Sequence, residues 1–116
     1  MVPVDQTVFG YPDGNCMAAA VASVLELRLE VVPNMASPHW LAILTGFLEP
    51  FGICPLSSAS PPPGYSVMCG DGPRGHMHAV VALGDTIVHD PHPDRTGLLT
   101  AHHYLSFVPC ARWPRC

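Results

Sequence analysis

The sequence predicts an α+β fold, with N-terminal helices packed on a C-terminal antiparallel sheet. Three observations carry this. Helical periodicity is confined to the first half, short β-branched runs punctuated by glycine fill the second, and the helices and strands are segregated along the chain instead of alternating. At 116 residues, 48% of them apolar and 12% charged, the chain has the size and composition of one globular domain spanning residues 1–116.

The elements follow in order. The stretch NCMAAAVASVLEL, residues 15–27, lacks glycine and proline and spaces Met17, Ala20, Val21, Val24 and Leu25 as a helix does, with Asp13 or Asn15 available as the N-cap. After a turn through VVPN, the stretch SPHWLAILTGFLEPFG offers Ser37 as a cap, Pro38 at the first helical position and an apolar stripe of Leu41, Leu44 and Leu48. Trp40, Phe47, Leu48 and Phe51 are expected as core or cleft wall. The proline run in CPLSSASPPPG, residues 54–64, removes amide donors and predicts a surface connector. From Tyr65 the period changes. YSVMC, HAVVAL, TIVHD and YLSFVP read as strands separated by Gly70, Gly72, Gly75 and Gly84, and Trp113 is expected to cap the sheet.

Composition narrows function. The five cations are all arginine and the formal net charge is −4, so the basic footprint of a nucleic-acid binder is missing. No apolar run approaches the ~20 residues of a membrane span. The start, MVPVDQTVFGYPDG, has neither the basic nor the apolar region of a secretory signal, which predicts a soluble cytoplasmic protein. In a reducing compartment Cys16, Cys54, Cys69, Cys110 and Cys116 are expected as free thiols, because they form an odd set with no CxxC pair.

One of these thiols stands where chemistry is favoured. A cysteine in the first turn of a helix meets unpaired amides and the helix dipole, which lower a thiol pKa and enrich the nucleophilic thiolate. Cys16 holds that position. A thiol nucleophile also needs a base, and the base an orienting acid. In GDGPRGHMHAVVALGDTIVHDPHP, residues 70–93, His78 opens one strand run and Asp90 closes the next. A three-residue loop Leu83-Gly84-Asp85 would pair Ala82 with Thr86, Val80 with Val88 and His78 with Asp90; a two-residue Gly84-Asp85 turn would put His78 and Asp90 on opposite faces unless a bulge restored the register. The expectation is an odd loop or a bulge. Gln6, the only glutamine, can add a side-chain donor to the Cys16 amide for a developing oxyanion.

In this order, DQT, then GNCMAAAVASVLEL, then GHMHAVVALGDTIVHDP, the residues resemble the papain-like cysteine peptidase superfamily. The likeness is to its compact branch, which includes the peptidase domains that process double-glycine bacteriocin leaders and small bacterial or phage proteins of similar layout. The resemblance implies a papain-like fold with Gln6 in the oxyanion hole, Cys16 as nucleophile, His78 as base and Asp90 as orienting acid, and no cofactor. It also implies a hydrolase acting on a peptide, isopeptide or glutamine amide through a thioester, with a peptide or protein as its substrate.

Two alternatives accompany that expectation. A catalytically silent papain-like module would use the same cleft for binding, since a fold does not guarantee its chemistry. A zinc site could draw on His76, His78, His89 and His92 with Cys69 nearby, but no zinc spacing is matched. His39, His102 and His103 read as surface or packing residues, and Asp94 and Arg95 as solvated members of a turn.

Overall fold

A computed structural model describes residues 1–110. Two helices, α1 (Cys16–Leu25) and α2 (Trp40–Leu48), precede five strands: β1 (Ile53–Ser58), β2 (Tyr65–Asp71), β3 (Met77–Leu83), β4 (Thr86–His89) and β5 (Thr100–Pro109). The strands form one sheet in the order β1-β5-β2-β3-β4, and every pairing is antiparallel. The chain is therefore α+β, with helices and sheet segregated as the periodicity predicts. Trp113 and Cys116 lie outside the described residues.

The alanine-rich α1 is the centre of the molecule. Every residue from Ala18 to Ser23 is buried, so the helix is enclosed on all sides instead of on one stripe. Small side chains permit this because the helix can approach β2 and β3 on one side and the N-terminal segment on the other. The single hydroxyl in that interior is satisfied: Ser23 Oγ donates to the Ala19 carbonyl at 2.8 Å and accepts the Val4 amide at 2.9 Å.

Helix α2 begins two residues later than the sequence predicts. Ser37 Oγ accepts the His39 amide at 3.0 Å and the Ser37 carbonyl accepts the Trp40 amide, so Ser37 closes a turn ahead of the helix and is not its cap. Leu44 and Leu48 are fully buried as the stripe requires, while Leu41 is exposed. Of the aromatic wall, Phe47 packs on the core and Phe51 stays 60% exposed.

Residues 54–58 are strand and not connector. β1 pairs with β5 alone, with Pro55 opposite Phe107, so it is an edge strand. On an edge a proline can turn its missing donor away from the partner, which is why the proline run did not exclude pairing. The expectation that all cysteines are free is also corrected: Cys54, at the start of this edge strand, forms a disulfide with Cys110 just beyond β5. Among the described residues Cys16 and Cys69 remain thiols.

Gly70 and Gly72 stand where a side chain would collide with its neighbours. Gly70 sits at the register shift between β2 and β5, opposite His78 of β3, and a Cβ there would fall 1.8 Å from the Thr100 carbonyl oxygen. A Cβ on Gly72 would meet the His78 Cβ at 2.9 Å. Because the Thr100 obstacle is backbone, Gly70→Ala is expected to lower stability by about 1–3 kcal/mol, the range for overpacking. Urea denaturation checks it, and an unchanged midpoint would contradict the close approach.

Candidate active site

The His78–Asp90 pair is built by a hairpin with a defect. Leu83 pairs with Thr86 across a two-residue Gly84-Asp85 turn, so the three-residue loop is not adopted. Val81 then pairs with His89 while Ala82 pairs with Ile87, which leaves Val88 as an extra residue. That bulge is the device that brings the two faces back into agreement. Beyond it, His78 Nε2 lies 2.7 Å from Asp90 Oδ1.

Both groups are interior, His78 3% and Asp90 4% exposed. Asp90 is held by three donors: besides His78, the amide of His92 reaches Oδ1 at 2.9 Å and the amide of Gly97 reaches Oδ2 at 2.7 Å. Burial alone would raise its pKa, but those hydrogen bonds keep the carboxyl below its ordinary value. For His78 burial dominates and pulls the imidazole pKa down, against the hydrogen bond and charge of Asp90 and with repulsion from Arg74 and His92. A neutral imidazole that donates Nε2–H to Asp90 carries its lone pair on Nδ1.

Cys16 opens α1, and its side chain shares one cavity of about 410 Å³ with those of Gln6, His78 and His92. The thiol does not have the depressed pKa expected of a helix start. Burial pushes it up, outweighing the amides of Ala79, Met17 and Cys16 itself, which face the sulfur and favour its anion; the nearby Asp90 charge adds to the rise. Ala79 is the residue after His78, so the sulfur lies against the strand that carries the imidazole. Cys69, buried deeper on β2, has burial as its main perturbation and a pKa pushed up to about 12.

The oxyanion candidates are explained by how the helix start is left open. Asn15 occupies the N-cap position but makes no side-chain cap. Its Oδ1 instead accepts the amides of Thr7 and Val8 at 2.9 and 3.0 Å, and its Nδ2 donates to Thr7 Oγ1. No side chain therefore caps the first amides of α1, and the segment after Gln6 is tied to Asn15 beside them. Gln6, 6% exposed, donates Nε2–H to the Val8 carbonyl at 2.9 Å, which leaves its second Nε2–H free.

The other histidines divide among separate tasks. His89 is bonded to the Val4 carbonyl at 3.0 Å, and His102 to Asp71 Oδ2 at 3.0 Å. His103 stacks on Trp40 at the cavity wall, and His92 meets both Phe9 and His78 edge-on. Among the described residues no three His, Cys, Asp or Glu side chains gather as a metal-ligand group.

Sequence reasoning missed the ion pairs around this pair of strands. Arg95 and Asp94 are not free members of a turn: Arg95 binds Asp5, and Asp94 binds Arg74 at 2.8 Å. Opposite charges 90 residues apart carry no local signal, and only the closing of residues 90–97 against the N-terminal segment brings Asp5 and Arg95 together. No helix of the described residues is long and apolar enough to cross a membrane. No family model, curated protein or solved structure matches the chain.

Proposed function

We propose that this protein is a papain-like thiol hydrolase that cleaves an amide bond of a peptide, isopeptide or glutamine side chain. The observation that carries the reading is the single cavity lined by Cys16, His78 and Gln6, with Asp90 bonded to the far nitrogen of the imidazole. The chemistry follows from the protonation states. Burial favours a neutral thiol and a neutral imidazole on the wall of one cavity, and in this reading His78 Nδ1 takes the Sγ proton as the sulfur attacks the carbonyl carbon. The carbonyl electron pair moves to oxygen, and in this reading the Cys16 amide and the second Nε2–H of Gln6 donate to it. Collapse expels the amine, which leaves with the proton held by His78. Water, deprotonated by the same nitrogen, then hydrolyses the thioester.

The cytoplasm suits a free Cys16, although the Cys54–Cys110 bond requires that oxidation be possible where the protein matures. The catalytically silent module has one observation in its favour, the raised thiol pKa. The two readings part on reactivity. With the disulfide intact, iodoacetamide at pH 8 is expected to alkylate Cys16 much faster than Cys69 or Cys116, and His78→Ala is expected to slow Cys16 by about 10–100-fold, within reach of a lost general base. Site-resolved mass spectrometry reads both rates. Comparable labelling of Cys16 and Cys116, or indifference to His78→Ala, would leave only the silent module.

A further inference from the structure

The four residues of the proposed site come from three places: Gln6 on the N-terminal segment, Cys16 on α1, and His78 with Asp90 on the hairpin and the loop after it. Something must hold the first and last of these in register. The N-terminal segment is laced to residues 89–91 at each position: the Val4 carbonyl to His89, Asp5 Oδ1 to His89 at 3.2 Å, and the Gln6 amide to the Pro91 carbonyl at 3.1 Å. Two of these links are single hydrogen bonds, and a single bond leaves rotation free.

Arg95 supplies the rigid link. Its Nη1 and Nη2 bind Asp5 Oδ1 and Oδ2 at 2.7 and 3.0 Å, a two-pronged pairing that fixes the guanidinium plane. The same Nη1 also donates to the main-chain carbonyl of Asp90. Its backbone takes a left-handed φ of 56°, unusual for a side-chain-bearing residue, and closes the turn by donating its amide to the His92 carbonyl at 3.0 Å. One side chain therefore grips the neighbour of the oxyanion residue and the backbone of the acid together. Arg95 and Asp5 line a separate hollow behind Asp90, with Ile87, Val88 and His89, and are absent from the Cys16 cavity.

We infer that the Asp5–Arg95 clamp is a positioning device for the thiol chemistry, setting Gln6 against the Asp90 carboxylate that orients His78. The inference rests on the hydrolase reading above. Asp5 and Arg95 are each about half exposed, so the pair contributes little to stability, and its loss should move geometry more than folding.

Two readouts test this on the full chain with its disulfide intact. The first is the rate of Cys16 alkylation by iodoacetamide. The second is the low-field NMR resonance of the His78 Nε2 proton, which reports the bond to Asp90 without any activity. Arg95→Met is expected to slow alkylation about tenfold, as misplacement of a reacting group does, and to weaken or broaden the resonance. Arg95→Lys keeps the charge but not the fork and should fail to restore either. Asp5→Asn, an exposed change that keeps the fold, should act in the same direction, whereas Arg28→Met, which breaks only the exposed Arg28–Glu30 contact, should change neither. If His78→Ala leaves Cys16 alkylation unchanged, the hydrolase reading fails and the clamp falls with it. If His78→Ala slows alkylation while Arg95→Met and Asp5→Asn leave rate and resonance as in the parent, the clamp alone is overturned.

Discussion

Asp90→Asn is expected to reduce turnover of an activated ester such as p-nitrophenyl acetate at Cys16 by about 10²–10⁴-fold, the range in which loss of an orienting acid or a general base falls. The substitution is isosteric, yet no orientation of the amide fits. Asp90 Oδ1 receives donors from His78 and His92, and Oδ2 a donor from Gly97. With the NH2 group at the Oδ2 position it opposes the Gly97 amide. With it at the Oδ1 position it opposes the His92 amide and demands a lone pair from His78 Nε2, which moves the imidazole proton to Nδ1 and removes the lone pair that the proposed mechanism uses. Either arrangement leaves a buried donor unpaired, so a stability loss of about 1–3 kcal/mol should accompany the kinetic loss. Acid should expose the same pair in the parent protein. His78 has a folded pKa below its unfolded value, so folding favours the neutral ring and stability falls as pH drops below about 6.5 toward the folded value. The Asp90 pKa is also depressed, and its contribution, present above about 3.9, is lost as pH falls further. In Asp90→Asn only the first step should remain. Turnover within threefold of the parent would show that the carboxylate orients nothing.

How much of this arrangement was legible in the sequence depends on the range of the interaction. The helix start at Cys16 and the approach of His78 to Asp90 follow from local rules: a run of alanines cannot avoid helical periodicity, and twelve residues containing one Gly-Asp turn can form little but a hairpin. The bulge at Val88 was one of two ways to close that hairpin, and no propensity distinguishes them, because what selects the bulge is the burial of His78 and Asp90 against the rest of the chain. The thiol pKa was misjudged for a related reason. The helix-start argument is local and its amides do face the sulfur, but the desolvation that outweighs them comes from elements distant in sequence. Pro55 looked like a breaker because the sequence does not say which strand will stand at the edge. The partners of Asp94 and Arg95 were not legible because each, alone, is a charge in a polar stretch.

The disulfide is another long-range miss and carries the largest expected effect on stability. Cys54 and Cys110 are separated by 56 residues, and their bond joins the start of the edge strand β1 to the residue just beyond β5. Closing a loop of that length removes denatured-chain entropy equivalent to about 4 kcal/mol at 25 °C. A Cys54→Ser/Cys110→Ser variant, or the parent after reduction, is therefore expected to unfold with a midpoint up to roughly 16–32 °C lower, given about 4–8 °C per kcal/mol for a domain near this size. The figure is a ceiling, because residual structure in the unfolded chain shrinks the entropy that the bond removes. β1 stands at the opposite edge of the sheet from β4, so the loss should not reach the hairpin that carries His78. Below the lowered midpoint, Cys16 should keep its alkylation rate and its dependence on His78. Thermal unfolding followed by circular dichroism, paired with intact-mass measurement of the thiol count, separates the outcomes. An unchanged midpoint in a protein whose mass shows the bond formed would mean that the edge strand is already closed without it. A purified parent protein with Cys54 and Cys110 both reduced would instead restore the expectation of a reducing compartment and remove the bond from the native structure.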